Sequence, residues 1–444
     1  MEPDLSLRVG LSSVCITPPE PVWLYGYSCA VRFTPYTGKE HELYAKTMAF
    51  EDAAGTRTVL MTLDLCVMRQ NVAARLMARI IEQTGLAPEH IIVNLSHTHS
   101  GPMIGTEDPQ RWPLPQDMRE RIRDYTEFLI ELLAEAAAKA LADLRPARIR
   151  WGRGRVEFVR NRRMFDEQGK YSGMKPNPDG FTDPRVTVLR VDEPDGTLRA
   201  LLCSLACHAV TLGPKNLQLC GDYPGFAKAA LEAHHPGVTA LFVQGCGADA
   251  NSEPRGTPDQ MECARRQGEQ LAEEVARVAA GELQPVRGPI RAAQAGLELP
   301  LRQRTRAELE TEATGPASTA HNPRRILELL DRGETPATTY ATTISLWRFG
   351  NDLTLAALPG ETVAGYIPRL EAIFDPARLW VAGYCNDVFG YLPTAQIIRE
   401  GGYEDRGLVC DIGQFDADVE NVMVEGLRRL GGTIDTKNRQ TEKS

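Results

Sequence analysis

The sequence predicts an α/β fold in which mixed sheets are flanked by helices and a metal site lies at the strand ends. Apolar runs typical of buried strands, such as residues 91–93 and 238–244, alternate with amphipathic stretches typical of helices. Several of these runs end in histidine or carboxylate side chains. The chain has 444 residues, 42% hydrophobic and 25% charged, which is enough for one large core or two domains.

The composition excludes several classes of protein. The formal net charge is -9 and no basic block stands out, so we expect no nucleic-acid partner. No apolar run reaches the roughly 20 residues of a transmembrane helix. The first residues lack the pattern of a secretory signal, so we expect a cytoplasmic protein. The partners we expect are a small-molecule substrate and further copies of the chain, as a homo-oligomer. The ten cysteines form no C-x-x-C pair, and we expect reduced, mostly buried thiols.

Strands and helices are both predicted through residues 1–287. The predicted strands lie at 8–16, 43–51, 58–66, 91–93, 148–159, 185–191, 198–205 and 238–244. The predicted helices lie at 71–84, at 119–144, from Pro224 to His234-His235, and at 257–281. The two adjacent histidines are interpreted as a helix end rather than as metal ligands. Residues 23–42 form a loop too long to be an idle connection, so it is a candidate lining of the site.

The last third of the chain is predicted to form a second set of strands. They lie at 290–299, 344–349, 353–358 and 379–385, with a helix at 362–373. Residues 303–337 are polar and partly helical, and we interpret them as a cap or insertion. Residues 433–444 are polar and are expected to form a frayed tail.

Side chains suited to a metal or to proton transfer follow several of the predicted strands. His97 and His99 are two residues apart on an extended segment and therefore point to the same side. His208 follows the strand at 198–205, and Glu361 follows the strand at 353–358. Two imidazoles and a carboxylate fit a catalytic zinc site, which lowers the pKa of bound water to about 7. Iron, manganese and cobalt also suit such ligands.

Four segments in this order resemble the catalytic domain of the neutral/alkaline ceramidases. They are 94–102 (NLSHTHSGP), 206–210 (ACHAV), 359–361 (PGE) and 386–391 (NDVFGY). The family's enzymes are zinc-dependent amidases that hydrolyse the N-acyl bond of ceramide. The resemblance implies a single catalytic domain over 1–432, with sub-regions at about 1–287 and 288–432.

The resemblance also implies roles for individual residues. One zinc ion per chain would be held by four ligands: His97, His208, Glu361 and Tyr391. His99 would lie beside the metal as a hydrogen-bond donor or proton shuttle, and Tyr391 or His99 would stabilise the oxyanion. Arg162 resembles the family's active-site arginine. Asp64 is an acid within an apolar run: it either caps a loop or pairs with an arginine, or it orients a metal-bound histidine.

Two departures from the family pattern lead us to expect a smaller substrate than ceramide. The family has a serine after the strand that here ends in Gln244, and this chain has Gly245 in that place. The chain also ends near the catalytic domain, so we expect an intracellular relative without a C-terminal immunoglobulin-like domain. Cys246, next to Gly245, is weighed as a nucleophile, but a small buried residue in a glycine turn is the simpler interpretation.

Three other functions stay open at this point. The first is an ester or lactone hydrolase with the same metal. The second is a glycoside hydrolase, for which Glu361 with Asp222 or Asp249 would supply two carboxylates about 5–10 Å apart. The third is a metal-binding protein without catalysis.

Overall fold

The computed structural model describes residues 6–28, 31–105, 114–315, 317–406 and 413–441, without the side chains of 317–321 and 436–441. The strands are β1 (Leu7–Cys15), β2 (Gly38–Lys39), β3 (Tyr44–Asp52), β4 (Arg57–Leu63), β5 (Ile91–Leu95), β6 (Arg145–Arg155), β7 (Val159–Phe165), β8 (Tyr171–Asn177), β9 (Arg185–Asp192), β10 (Leu198–Leu205), β11 (Gln218–Leu219), β12 (Thr239–Gln244), β13 (Ala250–Ser252), β14 (Gln284–Val286), β15 (Ile290–Pro300), β16 (Thr339–Phe349), β17 (Leu353–Ala357), β18 (Glu361–Thr362), β19 (Leu379–Ala382) and β20 (Tyr391–Leu392). The helices are α1 (Gln70–Thr84), α2 (Gln116–Ala142), α3 (Asp222–His234), α4 (Gln260–Ala280), α5 (Arg306–Ala313), α6 (Ala317–Asp331), α7 (Tyr366–Glu371), α8 (Ala395–Glu400) and α9 (Val419–Thr441).

Two large mixed sheets organise the described part of the chain. The larger has nine strands in the order β12-β10-β9-β6-β1-β3-β4-β5, with β14 beside β6. The smaller has the order β15-β16-β17-β19. Most neighbours are antiparallel, but β4–β5, β10–β12 and β17–β19 are parallel pairs. The predicted α/β class with mixed sheets and flanking helices is therefore confirmed.

The helices cover the sheets with apolar faces that the sequence spacing predicts. In α1 the buried side chains are Val72, Leu76 and Ile80, four residues apart and on one face. Gly85 ends this helix in the left-handed conformation, with φ of 69°, and its N–H donates to the carbonyl of Ile81. Within the described residues, no helix combines the length and the apolar character needed to cross a membrane.

The two sheets share one hydrophobic core. Phe349 and Trp347 of β16 pack in the same cluster as Phe50 and Trp151 of the larger sheet. The rings of Phe50 and Phe349 meet edge to face, with 5.1 Å between their centroids. Side chains from both predicted sub-regions, about 1–287 and 288–432, therefore contribute to this cluster.

Removing one side chain from this core is expected to destabilise the protein. Phe349→Ala should lower the free energy of unfolding by about 3 kcal/mol, because Phe349 is 3% exposed and truncation leaves a cavity. Phe128→Ala is the matched control, since Phe128 is 53% exposed and its loss should change stability by less than about 0.5 kcal/mol. Urea unfolding measures both, and equal effects would contradict a shared core.

The C-terminal segment differs from the expectation of a frayed polar tail beginning at 433. Helix α9 continues to Thr441, and residues 442–444 lie outside the described part. Ile434 is buried in a second hydrophobic cluster, which also contains Leu346 of β16 and Leu430 of α9. Asp435 forms an ion pair with Arg348. The segment is polar apart from Ile434, and its separation from the domain at 432 stays a prediction.

The insertion at 303–337 contains helices α5 and α6. Helix α5 begins with a capping box, in which the Thr305 side chain accepts from the N–H of Glu308 and the Glu308 side chain accepts from the N–H of Thr305. The expectation that this segment is polar and partly helical is confirmed. Its role as a cap over the site stays a prediction.

Candidate metal centre

Three side chains from three strand ends meet at one point. Nε2 of His97 lies 3.2 Å from Oε2 of Glu361, and Nε2 of His208 lies 3.3 Å from the same oxygen. The three potential ligand atoms all lie within 4.8 Å of one another. The three residues are at most 2% exposed. The structure thus brings together three residues that are far apart in the sequence: His97 and Glu361 each lie more than 100 positions from His208.

Backbone carbonyl groups orient both imidazoles. Nδ1 of His97 lies 2.8 Å from the carbonyl oxygen of Cys66, and Nδ1 of His208 lies 2.9 Å from that of Gly247. A neutral imidazole that donates through Nδ1 keeps the lone pair of Nε2 free. Both Nε2 atoms are therefore turned toward the shared point.

The atoms at this point fit a divalent cation. Nε2 of His208 and Oε2 of Glu361 are buried and make no hydrogen bond within the described residues. Burial and the charge of Arg162 lower the pKa of His208 to about 4, so its imidazole is neutral at pH 7. Burial opposes the ionised form of Glu361, but the charge of a protonated His97 outweighs it and holds the pKa of this carboxyl well below its usual range. Burial lowers the pKa of His97, but Cys66 and Glu361 outweigh it and raise this pKa well above its usual value, so a bound cation would take the place of the His97 proton. Neutral imidazole and ionised carboxylate are the metal-binding forms.

His99 lies at the edge of this group. Its Nε2 is 3.1 Å from Nε2 of His97, and burial together with the nearby histidines holds its pKa well below the usual value. The loop at 23–42 covers it, as expected. The ring of Tyr27 meets its ring edge to face with 5.0 Å between centroids, and Arg32 donates to its carbonyl oxygen at 2.6 Å.

Tyr391 belongs to the same cluster. It pairs with Glu361 between the parallel strands β18 and β20. Its ring is nearly parallel to that of His208, with an interplanar angle of 17° and 6.4 Å between centroids. The guanidinium carbon of Arg162 lies 5.4 Å from the centre of the Tyr391 ring. The structure therefore places Tyr391 and Arg162 beside the ligand group, whereas the role of Tyr391 as a ligand stays a prediction.

A buried carboxylate that the sequence interpretation missed holds Arg162. Nε of Arg162 donates to Oε1 of Glu404 at 2.8 Å, and Arg163 donates to Oε2 of the same side chain. Glu404 is 0% exposed. Nη2 of Arg162 has no hydrogen-bond partner among the described residues. Glu404 follows no apolar run and lies 242 positions from Arg162, so no local pattern indicated it.

The structure decides between the two interpretations of Asp64. Its carboxylate forms an ion pair with Lys228 and accepts from the N–H of Tyr44 at 3.0 Å. A basic partner is thus present, but it is Lys228 rather than the expected arginine. The idea that Asp64 orients a metal-bound histidine is wrong, because backbone carbonyls hold Nδ1 of both His97 and His208.

Asp222 and Asp249, the proposed partners of Glu361 in glycoside hydrolysis, both accept hydrogen bonds from backbone N–H groups. Asp222 accepts from three backbone N–H groups, those of Thr211, Leu212 and Tyr223, at 2.7 to 3.3 Å. Asp249 accepts from the N–H of Ala364 at 2.7 Å. These bonds give both acids a role at loops and turns, which weakens the glycosidase alternative.

The glycine turn after β12 is tightly packed. A Cβ atom at Gly245 would lie 3.1 Å from the backbone of Ala206, so a side chain there would need a shift of the backbone. Cys246 is fully buried against Ala206 and Ile367, and burial raises the pKa of its thiol well above the usual value. A protonated, inaccessible thiol is a poor nucleophile, which favours the structural interpretation.

The remaining cysteines and histidines follow the predictions. The eight cysteines that the structure describes are free thiols, and all but Cys15 are buried. Cys29 and Cys410 lie outside the described residues. His234 is the last residue of α3 and His235 is its C-cap, which confirms that they end a helix.

Known proteins share both the sequence and the fold. The family described as neutral/alkaline non-lysosomal ceramidase, N-terminal, matches residues 7–289. Neutral ceramidase A of Dictyostelium discoideum is 24% identical over 243 residues, 54% of this chain and 33% of the relative. Neutral ceramidase B of the same organism is 24% identical over 224 residues, 48% of this chain and 31% of the relative. The chain thus spans about a third of the length of these relatives.

Solved structures of ceramidases have the same fold. The crystal structure of neutral ceramidase from Pseudomonas aeruginosa superposes with a TM-score of 0.73 at 20% identity, covering 96% of this chain and 75% of that one. A ceramidase complexed with C2 superposes with a TM-score of 0.75 at 18% identity, covering 98% and 76%. Because the family match covers well over half of the residues, the chain belongs to the neutral/alkaline non-lysosomal ceramidase family.

Proposed function

We propose that this protein is a zinc-dependent hydrolase that cleaves the amide bond of a small N-acyl substrate with water. The observation that carries the proposal is the convergence of two imidazole nitrogens and one carboxylate oxygen, two of them without a hydrogen-bond partner in the described chain. Membership of a ceramidase family makes an amide the favoured bond. A bound zinc ion would supply Lewis acidity toward an acyl oxygen and a water pKa of about 7.

The chain's own side chains divide the remaining work. His97, His208 and Glu361 would hold the metal, and Tyr391 would complete the ligand set. His99, whose Nε2 lies 3.1 Å from Nε2 of His97, is placed to carry a proton between water and the leaving amine. Arg162, with its free Nη2, binds the acyl oxygen.

Metal removal tests this proposal. Protein purified without chelator should hydrolyse N-octanoyl p-nitroanilide, lose the activity after dipicolinate treatment, and regain it with about one equivalent of zinc. The matched p-nitrophenyl ester and a lactone are measured in parallel. If the protein cleaves the ester or the lactone but not the anilide, the assigned bond changes from an amide to an ester. Activity that survives complete metal removal would contradict the mechanism.

The sequence also led us to expect one metal ion per chain, a cytoplasmic location and a homo-oligomer. These stay predictions.

A further inference from the structure

Asn251 lies on the strand next to His208 and has no role in the proposed function. The N–H of His208 donates to the carbonyl of Ala250 at 2.9 Å, and His208 and Asn251 form a parallel bridge. Residues paired across neighbouring strands direct their side chains to the same face. Asn251 is 2% exposed. Its amide is therefore buried on the face that carries the His208 imidazole.

The Asn251 amide lies between two guanidinium groups. One of its terminal atoms is 3.4 Å from Nη1 of Arg162. If the other is the oxygen, it accepts from Nε of Arg255 at 3.0 Å and from Nη2 of Arg255 at 3.2 Å. The oxygen and nitrogen of an amide are told apart by their partners. Two hydrogen bonds to Arg255 outweigh one long contact with Arg162, so the amide nitrogen faces Arg162.

In this orientation the Asn251 amide nitrogen and Nη1 of Arg162 are neighbouring N–H donors, 3.4 Å apart. Nε of Arg162 donates a hydrogen bond to Glu404, whereas Nη2 has no hydrogen-bond partner within the described residues. Buried donors without acceptors cost free energy that a bound oxygen would recover. The guanidinium carbon of Arg162 also lies 5.4 Å from the centre of the Tyr391 ring, which stacks on His208. The donors thus adjoin the candidate metal ligands.

We propose that Asn251 and Arg162 together form the binding site for the acyl oxygen and stabilise its negative charge in the tetrahedral transition state. This inference rests on the proposed function and adds to it a second donor, Asn251, as a catalytic residue. Arg255 is a positioning residue, because it turns the amide nitrogen toward Arg162.

The test combines catalysis with ligand binding. We expect Asn251→Ala to retain zinc and its unfolding midpoint, to lose about 10²-fold in kcat on N-octanoyl p-nitroanilide, and to change KM little. Octanoate, whose carboxylate presents an oxygen to the same donors, should bind about tenfold more weakly to this variant in titration calorimetry. Asn251→Asp keeps the shape but turns the donor into an acceptor, and it should bind octanoate at least as weakly. Arg255→Gln should give a smaller loss in kcat.

The outcomes separate this inference from the proposed function. Unchanged kcat and octanoate affinity in Asn251→Ala would overturn the inference and leave the amidase proposal intact. Octanoate binding that depends on Asn251, in a protein that cleaves no amide, would support the oxygen site and overturn the amidase proposal. Loss of zinc from both Asn251 variants would show that Asn251 only holds His208 in place, and would overturn the inference, as would a wild type that fails to bind octanoate.

Discussion

Replacing His208 with alanine is expected to abolish metal binding and hydrolysis together. The imidazole is 0% exposed, and its Nε2 is held toward Oε2 of Glu361 by the hydrogen bond between Nδ1 and Gly247. No other described side chain shares its place in the group formed with His97 and Glu361. Elemental mass spectrometry should find about one zinc per wild-type chain and none in the variant, and activity should fall to background.

An exposed histidine provides the control for this experiment. His234 ends helix α3 on the surface, so His234→Ala makes the same chemical change away from the site and should keep both zinc and activity. Tyr391→Phe separates the ligand role of the phenol from ring packing, since only the hydroxyl is removed. A folded His208→Ala protein that retains zinc would contradict the assigned centre.

Replacing Glu404 with glutamine is expected to damage both stability and activity. Glu404 is the buried carboxylate between Arg162 and Arg163, and Gln leaves two buried guanidinium groups around a neutral amide. Breaking a buried ion pair from one side costs about 3–5 kcal/mol. Arg162 would also lose its fixed direction toward the site, so kcat should fall. Chemical denaturation and steady-state kinetics measure the two effects.

Glu400 provides the matched control for Glu404. It also accepts from Arg163, at 3.1 Å, but its side chain is 25% exposed. Glu400→Gln should therefore change the free energy of unfolding by less than about 1 kcal/mol. Equal effects of the two substitutions would show that Glu404 has no special role.

The pH dependence of stability offers an independent test of the same contact. Burial would raise the pKa of Glu404, but Arg162 and Arg163 outweigh it and hold the pKa below the usual value. A carboxyl with a lowered pKa stabilises the fold fully above its ordinary pKa, and this contribution disappears as the pH falls through the folded-state pKa. The difference in stability between wild type and Glu404→Gln should therefore shrink in acid.

The local elements and the strand-end motifs were predictable from sequence because their signals lie within a few residues. Buried strands such as β5 and β12 are short apolar runs, and α1 shows its buried face through the spacing of Val72, Leu76 and Ile80. The motifs around His97 and His208 are likewise local. Turn and cap residues such as Gly85 end the helix or strand next to them in the sequence. The α/β class could therefore be predicted from the local sequence pattern alone.

Only the tertiary structure decided which side chains meet. Glu404 reaches Arg162 across 242 positions, and Lys228 reaches Asp64 across 164. Asn251 contacts Arg162 because β13 pairs with β7. No periodic pattern in the sequence predicts this pairing. A contact between distant segments depends on strand order and register, and the energy that selects them comes from the whole core. The sequence alone thus determined the kinds of group available for chemistry, while packing determined their partners and their ionisation.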